Sequence, residues 1–143
     1  MSIMQGATTS FKVELLEGVH DFLTDTFKIA LYTGNASLDA STTVYTTSNE
    51  ITGTGYTAGG NTLTATTPTS SGTVAYVSFA NTSWTSASFT ARAALIYNST
   101  QGNKSVAVLD FGGGGEAALA DCLVAAPDLR LFREKPPRPW GCA

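Results

Sequence analysis

The stretch that most constrains this chain is residues 73–111, TVAYVSFANTSWTSASFTARAALIYNSTQGNKSVAVLDF. Three apolar segments, 73–80, 87–97 and 104–111, are separated by breaks rich in Asn, Ser, Thr and Gly. β-Branched and aromatic residues suit a pleated, half-buried surface, and the breaks carry turn residues. Two-residue alternation puts Ala75, Val77 and Phe79 on one face of the first segment and Val74 and Tyr76 on the other. Both faces are largely apolar, the pattern of a sheet covered on two sides. The block reads as a sheet core and carries no catalytic signature.

At 143 residues the chain suits one domain with a substantial core. The expected division is a sheet domain over residues 1–111 and a Gly-linked C-terminal tail over 112–143. Charged residues make up 13% and the net charge is −3, which argues against a nucleic-acid partner held by phosphate neutralisation. No apolar run approaches the roughly 20 residues that span a bilayer, so no membrane partner is expected. The first ten residues, MSIMQGATTS, lack the basic and apolar regions of a secretory signal, and the expected setting is the cytoplasm. Cys122 and Cys142 read as incidental free thiols, and two thiols with one distant histidine make no four-ligand zinc site.

Before the central block, residues 10–23 (SFKVELLEGVHDFL) carry a helical pattern, with Phe11, Leu15, Leu16, Val19, Phe22 and Leu23 on one face. Ser10 or Thr9 is placed to cap it, Glu14 and Glu17 suit the early turns, and Gly18 weakens its middle. His20, the single histidine, reads as a helix-surface residue. Residues 27–33 (FKIALYT) read as a strand with Phe27, Ile29 and Leu31 on one face and Lys28, Ala30 and Tyr32 on the other. Residues 38–51 supply either an edge strand or a long surface loop. The glycine-rich GTGYTAGG at 53–60 lacks the lysine and hydroxyl of a phosphate loop and reads as a loop or bulge between strands. Residues 61–67 (NTLTATT) alternate into a strand with one wet face.

Composition changes after Gly112–Gly115, since every Ser and Thr precedes residue 106 and four of five prolines follow residue 126. Residues 116–126 have helical propensity. Residues 128–132 offer a short strand through Leu129 and Leu131, with a flexible tail as the alternative, and the prolines beyond keep that end extended.

No Ser/His/Asp arrangement and no GxSxG elbow is present. Glu50 and Asp110 are the carboxylate pair that folding would have to bring across a cleft for glycoside hydrolysis, though their spacing does not favour them over other pairs. No enzymatic activity and no catalytic, cofactor-binding or metal-ligating residues are expected. Four N-x-S/T sequons, at Asn35, Asn81, Asn98 and Asn103, read as loop residues in a hydroxyl-rich chain. Trp84 and the tyrosines are either buried under strand crossings, the reading preferred for Trp84, or set on loops to stack on sugar faces or anchor a protein interface.

The segments FKVELLEGVHDF, FKIALYTGNASLDASTTVYTT, EITGTGYTAGGNTLT and ALIYNSTQGNKSVAVLDFG, in that order, resemble small virion structural proteins of tailed bacteriophages. More specifically, residues 10–113 resemble the cement (decoration) proteins of capsid shells, chiefly in GTGYTAGG and AVLDFG. That resemblance implies an all-β β-sandwich of jelly-roll kind, with a short N-terminal helix and an irregular C-terminal tail. It further implies a place on the outer capsid surface, contact with the major capsid protein, and a homo-oligomer, dimer or trimer. A tail- or fibre-associated module recognising a host receptor or carbohydrate is the alternative. This chain departs from the resemblance at GGGGEAALADCLVAAPDLRLF, where more Thr-rich strand is expected. The last strand is then missing, supplied by residues 128–132, or supplied by a neighbouring subunit.

Overall fold

The computed structural model describes residues 3–85, 87 and 89–111 and the backbone of 117–119, 122–124 and 128–130. In chain order the elements are β1 (Gly6–Ala7), α1 (Thr9–Leu16), β2 (Phe27–Tyr32), β3 (Asn61–Leu63), β4 (Thr69–Ser71), β5 (Val74–Ser78) and β6 (Thr82–Trp84). There follow β7 (Phe89–Ala91), β8 (Ala93–Asn98), β9 (Lys104–Asp110), β10 (Ala117–Leu119), β11 (Cys122–Val124) and β12 (Asp128–Arg130). The fold is all-β with one short helix near the N-terminus, and its named strands pair antiparallel.

A five-stranded sheet in the order β1-β9-β8-β2-β3 forms the centre. Alternation in FKIALY sends Phe27, Ile29 and Leu31 into one apolar cluster with Ala94, Ile96 and Leu109. The intervening Ala30 and Tyr32 join Ala93, Leu95, Tyr97 and Val108 in a second cluster on the opposite face. The first face is covered by Phe11, Phe22, Phe79, Trp84 and Phe89, and the second by Ile3, Ala36, Leu38 and Tyr45. Coverage on both sides therefore belongs to β2, β8 and β9. In the 73–80 segment, by contrast, Val77 and Phe79 are buried, Val74 and Tyr76 are half-buried, and Ala75 is exposed.

Two irregularities position the rest. Between β8 and β9 the register passes from Ile96↔Ala107 to Tyr97↔Ser105, so Val106 is an extra residue in a β-bulge. The bulged Val106 carbonyl accepts from the Thr8 N–H at 3.0 Å, which docks the start of α1. The second break is Arg92. It divides the expected 87–97 strand into β7 and β8, with the Arg92 N–H donating to the Tyr32 carbonyl.

One edge of β2 is paired by two separate segments. Residues 61–63 face Phe27–Ile29, while an isolated bridge joins Tyr32 to Glu50 farther along. The chain between them, including GTGYTAGG, is the connecting loop, and it returns to the sheet through Gly60. There φ is +74°, and a Cβ would lie 1.8 Å from the Ile29 carbonyl oxygen. Only glycine fits that approach.

The helix is shorter than residues 10–23, and its cap is Thr8, whose side chain accepts from the Phe11 N–H. At the other end Gly18 adopts φ +76°, with Gly18 N–H bonded to the Leu15 carbonyl and Val19 N–H to the Glu14 carbonyl. Those two bonds make a Schellman motif, so Gly18 terminates the helix. Helical spacing then no longer governs Val19 through Leu23, and Leu23 points outward, as does Leu16, which lies inside α1 about 140° around from the buried Phe11.

Helical propensity over residues 116–126 is overridden where the backbone is described. Residues 117–119 and 122–124 are strands, pairing Ala117 with Ala91 and Cys122 with Trp84. Residues 128–130 also form a strand, with Asp128 opposite Ser78, as residues 128–132 offered. Successive C-terminal strands thus run antiparallel to β7, β6 and β5, whose open edges supply backbone partners that outweigh local preference. The Gly112–Gly115 linker, the extended proline end and Cys142 lie outside the described residues, as does the side chain of Cys122.

Candidate interaction surface

Secured by Thr8 and Gly18, α1 packs Phe11 inward and leaves its other side uncovered. Leu16 is 89% exposed and Val13 51%, and Leu23 on the following turn is 70% exposed. A typical surface helix of a globular domain turns its apolar stripe to the core and a polar face to water. Here apolar side chains project both ways, and the outward ones stand on a firm base. Phe22 stacks on Phe27 at 4.5 Å between ring centroids, and Phe11 meets Phe22 edge-on at 6.0 Å. Thr62, Thr64 and Thr66, exposed at alternate positions, give the wet face expected of residues 61–67.

The structure separates the groups that a hydrolase would need together. Tyr32 bridges to Glu50 and pairs with Ala93, which pairs with Asp110. Glu50 and Asp110 therefore stand three strand spacings apart, about 14 Å along the hydrogen-bonding direction. Paired glycosidase carboxylates lie closer, at roughly 5–9.5 Å. Asp110 is ion-paired with Arg92 at 3.2 Å.

Glu50 is buried and fully engaged. Its Oε1 accepts from the Tyr56 hydroxyl at 2.6 Å and the Gly59 N–H at 2.7 Å, and its Oε2 accepts from Tyr45 at 2.7 Å. Tyr97 donates to the Gly59 carbonyl at 2.7 Å and stacks on Tyr45, while Tyr32 donates to the Thr46 carbonyl at 2.6 Å. One carboxylate thereby gathers the 44–60 segment around itself, and the bonds from Tyr97, Tyr32 and the Leu31 N–H tie that segment to the sheet. Burial, followed by the nearby Glu50 charge, pushes the Tyr97 phenol up to about 12. Tyr45 and Tyr56 are raised by burial and by donating to Glu50, and Tyr32 chiefly by burial.

His20 is not a helix-surface residue. Because the helix ends at Gly18, the chain turns His20 inward against Phe11, at 5.0 Å between ring centroids. Its Nε2 lies 3.4 Å from Glu14 Oε1 and its Nδ1 lies 3.0 Å from Asn98 Nδ2. Asn98 is buried at the end of β8 rather than in a loop. Trp84 is 4% exposed, and Tyr32 and Tyr97 are buried, so none presents an open ring face to a sugar. The Trp84 indole N–H is the one buried side-chain polar atom without a hydrogen-bond partner among the described residues.

A shallow open depression is lined by Thr33, Gly34, Asn35, Thr90 and Arg92. Among the described residues, no group of three or more His, Cys, Asp or Glu side chains is placed to hold a metal ion. No described helix is long and apolar enough to cross a membrane. No family model, curated protein or solved structure matches this chain.

Proposed function

We propose that this protein is a non-enzymatic structural component of a phage head, binding the outer surface of the capsid and cementing neighbouring major capsid subunits. It acts there as a dimer or trimer, and the jelly-roll arrangement implied by the segment resemblance belongs to the same proposal. The observation that carries the reading is the outward apolar side of α1 and its turn, Val13, Leu16 and Leu23. Val13 and Leu16 stand on a helix fixed at both ends, with Leu23 on the turn that follows, so little ordering cost accompanies the burial of the two helix residues against another protein. Low charge and exposed hydroxyls suit a surface shared between solvent and protein.

Many copies, each burying about 1,000 Å² or more, would raise the cost of separating subunits, and attachment at several points adds avidity. Purified protein mixed with expanded, assembled capsids is expected to co-sediment with them and raise their heat resistance. Absence of the protein from purified virions would overturn the reading. A tail or fibre module recognising a receptor or carbohydrate is the second reading; Trp84, Tyr32 and Tyr97 are buried, Tyr45 and Tyr56 are half-buried, and a low copy number per particle would favour it.

A further inference from the structure

The buried contact between His20 and Asn98 has an orientation fixed from both ends. Asn98 Oδ1 accepts from the N–H groups of Thr100 at 3.0 Å and Gln101 at 3.2 Å, so the other end of the amide must be the NH₂ group. That Nδ2 donates to Asp25 Oδ2 at 2.7 Å and faces His20 Nδ1 at 3.0 Å. His20 Nδ1 is therefore an acceptor, and the ring proton is on Nε2, toward Glu14.

We propose that this contact is a proton-sensitive latch that holds the α1 cover, residues 9–25, onto the β8–β9 turn only while His20 Nδ1 is unprotonated. A proton on Nδ1 sets two donors face to face. Rotating the Asn98 amide offers no escape. It would turn the NH₂ group toward the N–H groups of Thr100 and Gln101, and the carbonyl oxygen toward the Asp25 carboxylate. The charged groups around the ring are Glu14 on α1, Asp25 on the turn and Lys104 on β9, which pairs with Glu14 at 2.8 Å. The cover also carries Val13, Leu16 and Leu23, yet the inference rests on the buried contact and not on the capsid reading.

His20 is the only histidine in the chain, so its ring resonances need no assignment. The test is long-range nitrogen–proton spectroscopy with amide exchange on the intact protein. It runs between about pH 8 and about pH 5, the interval in which histidine side chains generally change charge. At the upper end the Nε2–H tautomer is expected. On acidification the ring protonates and the Asn98 side-chain signals shift. Exchange at Thr100, Gln101 and α1, corrected for its intrinsic pH dependence, rises on the order of tenfold, as loss of one buried hydrogen bond produces.

His20→Gln should lack that acid step. The latch is overturned by an Nδ1–H tautomer, by a ring that stays neutral throughout, by protonation that leaves Asn98 and the exchange rates unchanged, or by an acid step that survives in His20→Gln. Should that variant not fold, the unmodified protein decides the matter alone.

Discussion

The Tyr56 hydroxyl donates to Glu50 Oε1 at 2.6 Å while accepting from the Leu31 N–H at 2.9 Å. One phenol thus satisfies a buried carboxylate and a strand N–H on the edge of β2 that Glu50 itself bridges. Removing the carboxylate leaves the Tyr45, Tyr56 and Gly59 donors without their acceptor, so Glu50→Ala should cost about 3 kcal/mol. Glu50→Gln, which keeps one acceptor oxygen, should cost roughly half of that. Urea unfolding measures both, and a loss below about 0.5 kcal/mol for Glu50→Ala would show that the 44–60 segment is held by other contacts.

The same tyrosines predict alkaline fragility. Tyr97 has its phenol raised to about 12, and Tyr32, Tyr45 and Tyr56 are raised as well. A phenol whose pKa is higher folded than unfolded contributes stability that is complete below about pH 10 and is lost as pH rises through the folded value. The midpoint of unfolding should fall above about pH 10, together with the appearance of tyrosinate absorbance. Free titration of every tyrosine near pH 10 in a still-folded protein would refute this account.

At the acid end two carboxyls act in the opposite sense. Burial pushes Glu14 up, but hydrogen bonds from Lys104 and His20 and their charges hold it below its ordinary 4.5. Burial likewise raises Asp25, and hydrogen bonds from Asn98, the Asp21 N–H and Gln101 hold it below 3.8. Their contribution is complete above those ordinary values and lost as pH falls through the lowered ones. Glu14→Gln and Asp25→Asn should each flatten the acid limb of a stability profile, and an unchanged limb in both would refute the assignment.

Gly60 and Gly18 separate two demands on glycine. Gly60→Ala places a Cβ 1.8 Å from the Ile29 carbonyl oxygen, whereas Gly18→Ala meets nothing within 4 Å and is strained only by its φ of +76°. The first should cost about 3 kcal/mol or prevent folding, and the second about 1 kcal/mol. Equal costs in thermal or urea melts would contradict the close approach at Gly60.

The outward side of α1 gives a prediction that separates binding from folding. Val13→Ser, Leu16→Ser and Leu23→Ser should each change stability by less than about 0.5 kcal/mol, because exposed substitutions rarely do more. Under the capsid reading they should nonetheless weaken binding to assembled shells. Unaltered binding in the triple variant would move the interface elsewhere.

What could be read from the chain was set by short-range periodicity. FKIALY alternates cleanly, and both of its faces fell where alternation put them. Leu16 is misplaced by being grouped with Phe11, five residues away and on the other side of α1, and Leu23 by helical spacing carried past Gly18, whose left-handed φ ends the helix. His20 went astray for the same reason, since a turn, and not a helix surface, directs it inward. Glu50 gave no local signal, because its three donors come from positions 45, 56 and 59 and meet only when the loop folds back. Residues 117–119 and 122–124 illustrate the converse, where helical preference yields to an open strand edge.

Burial of Asn98 also bears on how the protein is made. Its N-S-T triplet is a valid oligosaccharide acceptor in a eukaryotic secretory host, where transfer occurs on the nascent chain before β8 closes. A glycan on Asn98 cannot coexist with a side chain that bonds Asp25, His20, Thr100 and Gln101 inside the fold. Secretion from such cells should therefore give misfolded or retained material, whereas bacterial cytosol leaves this asparagine unmodified.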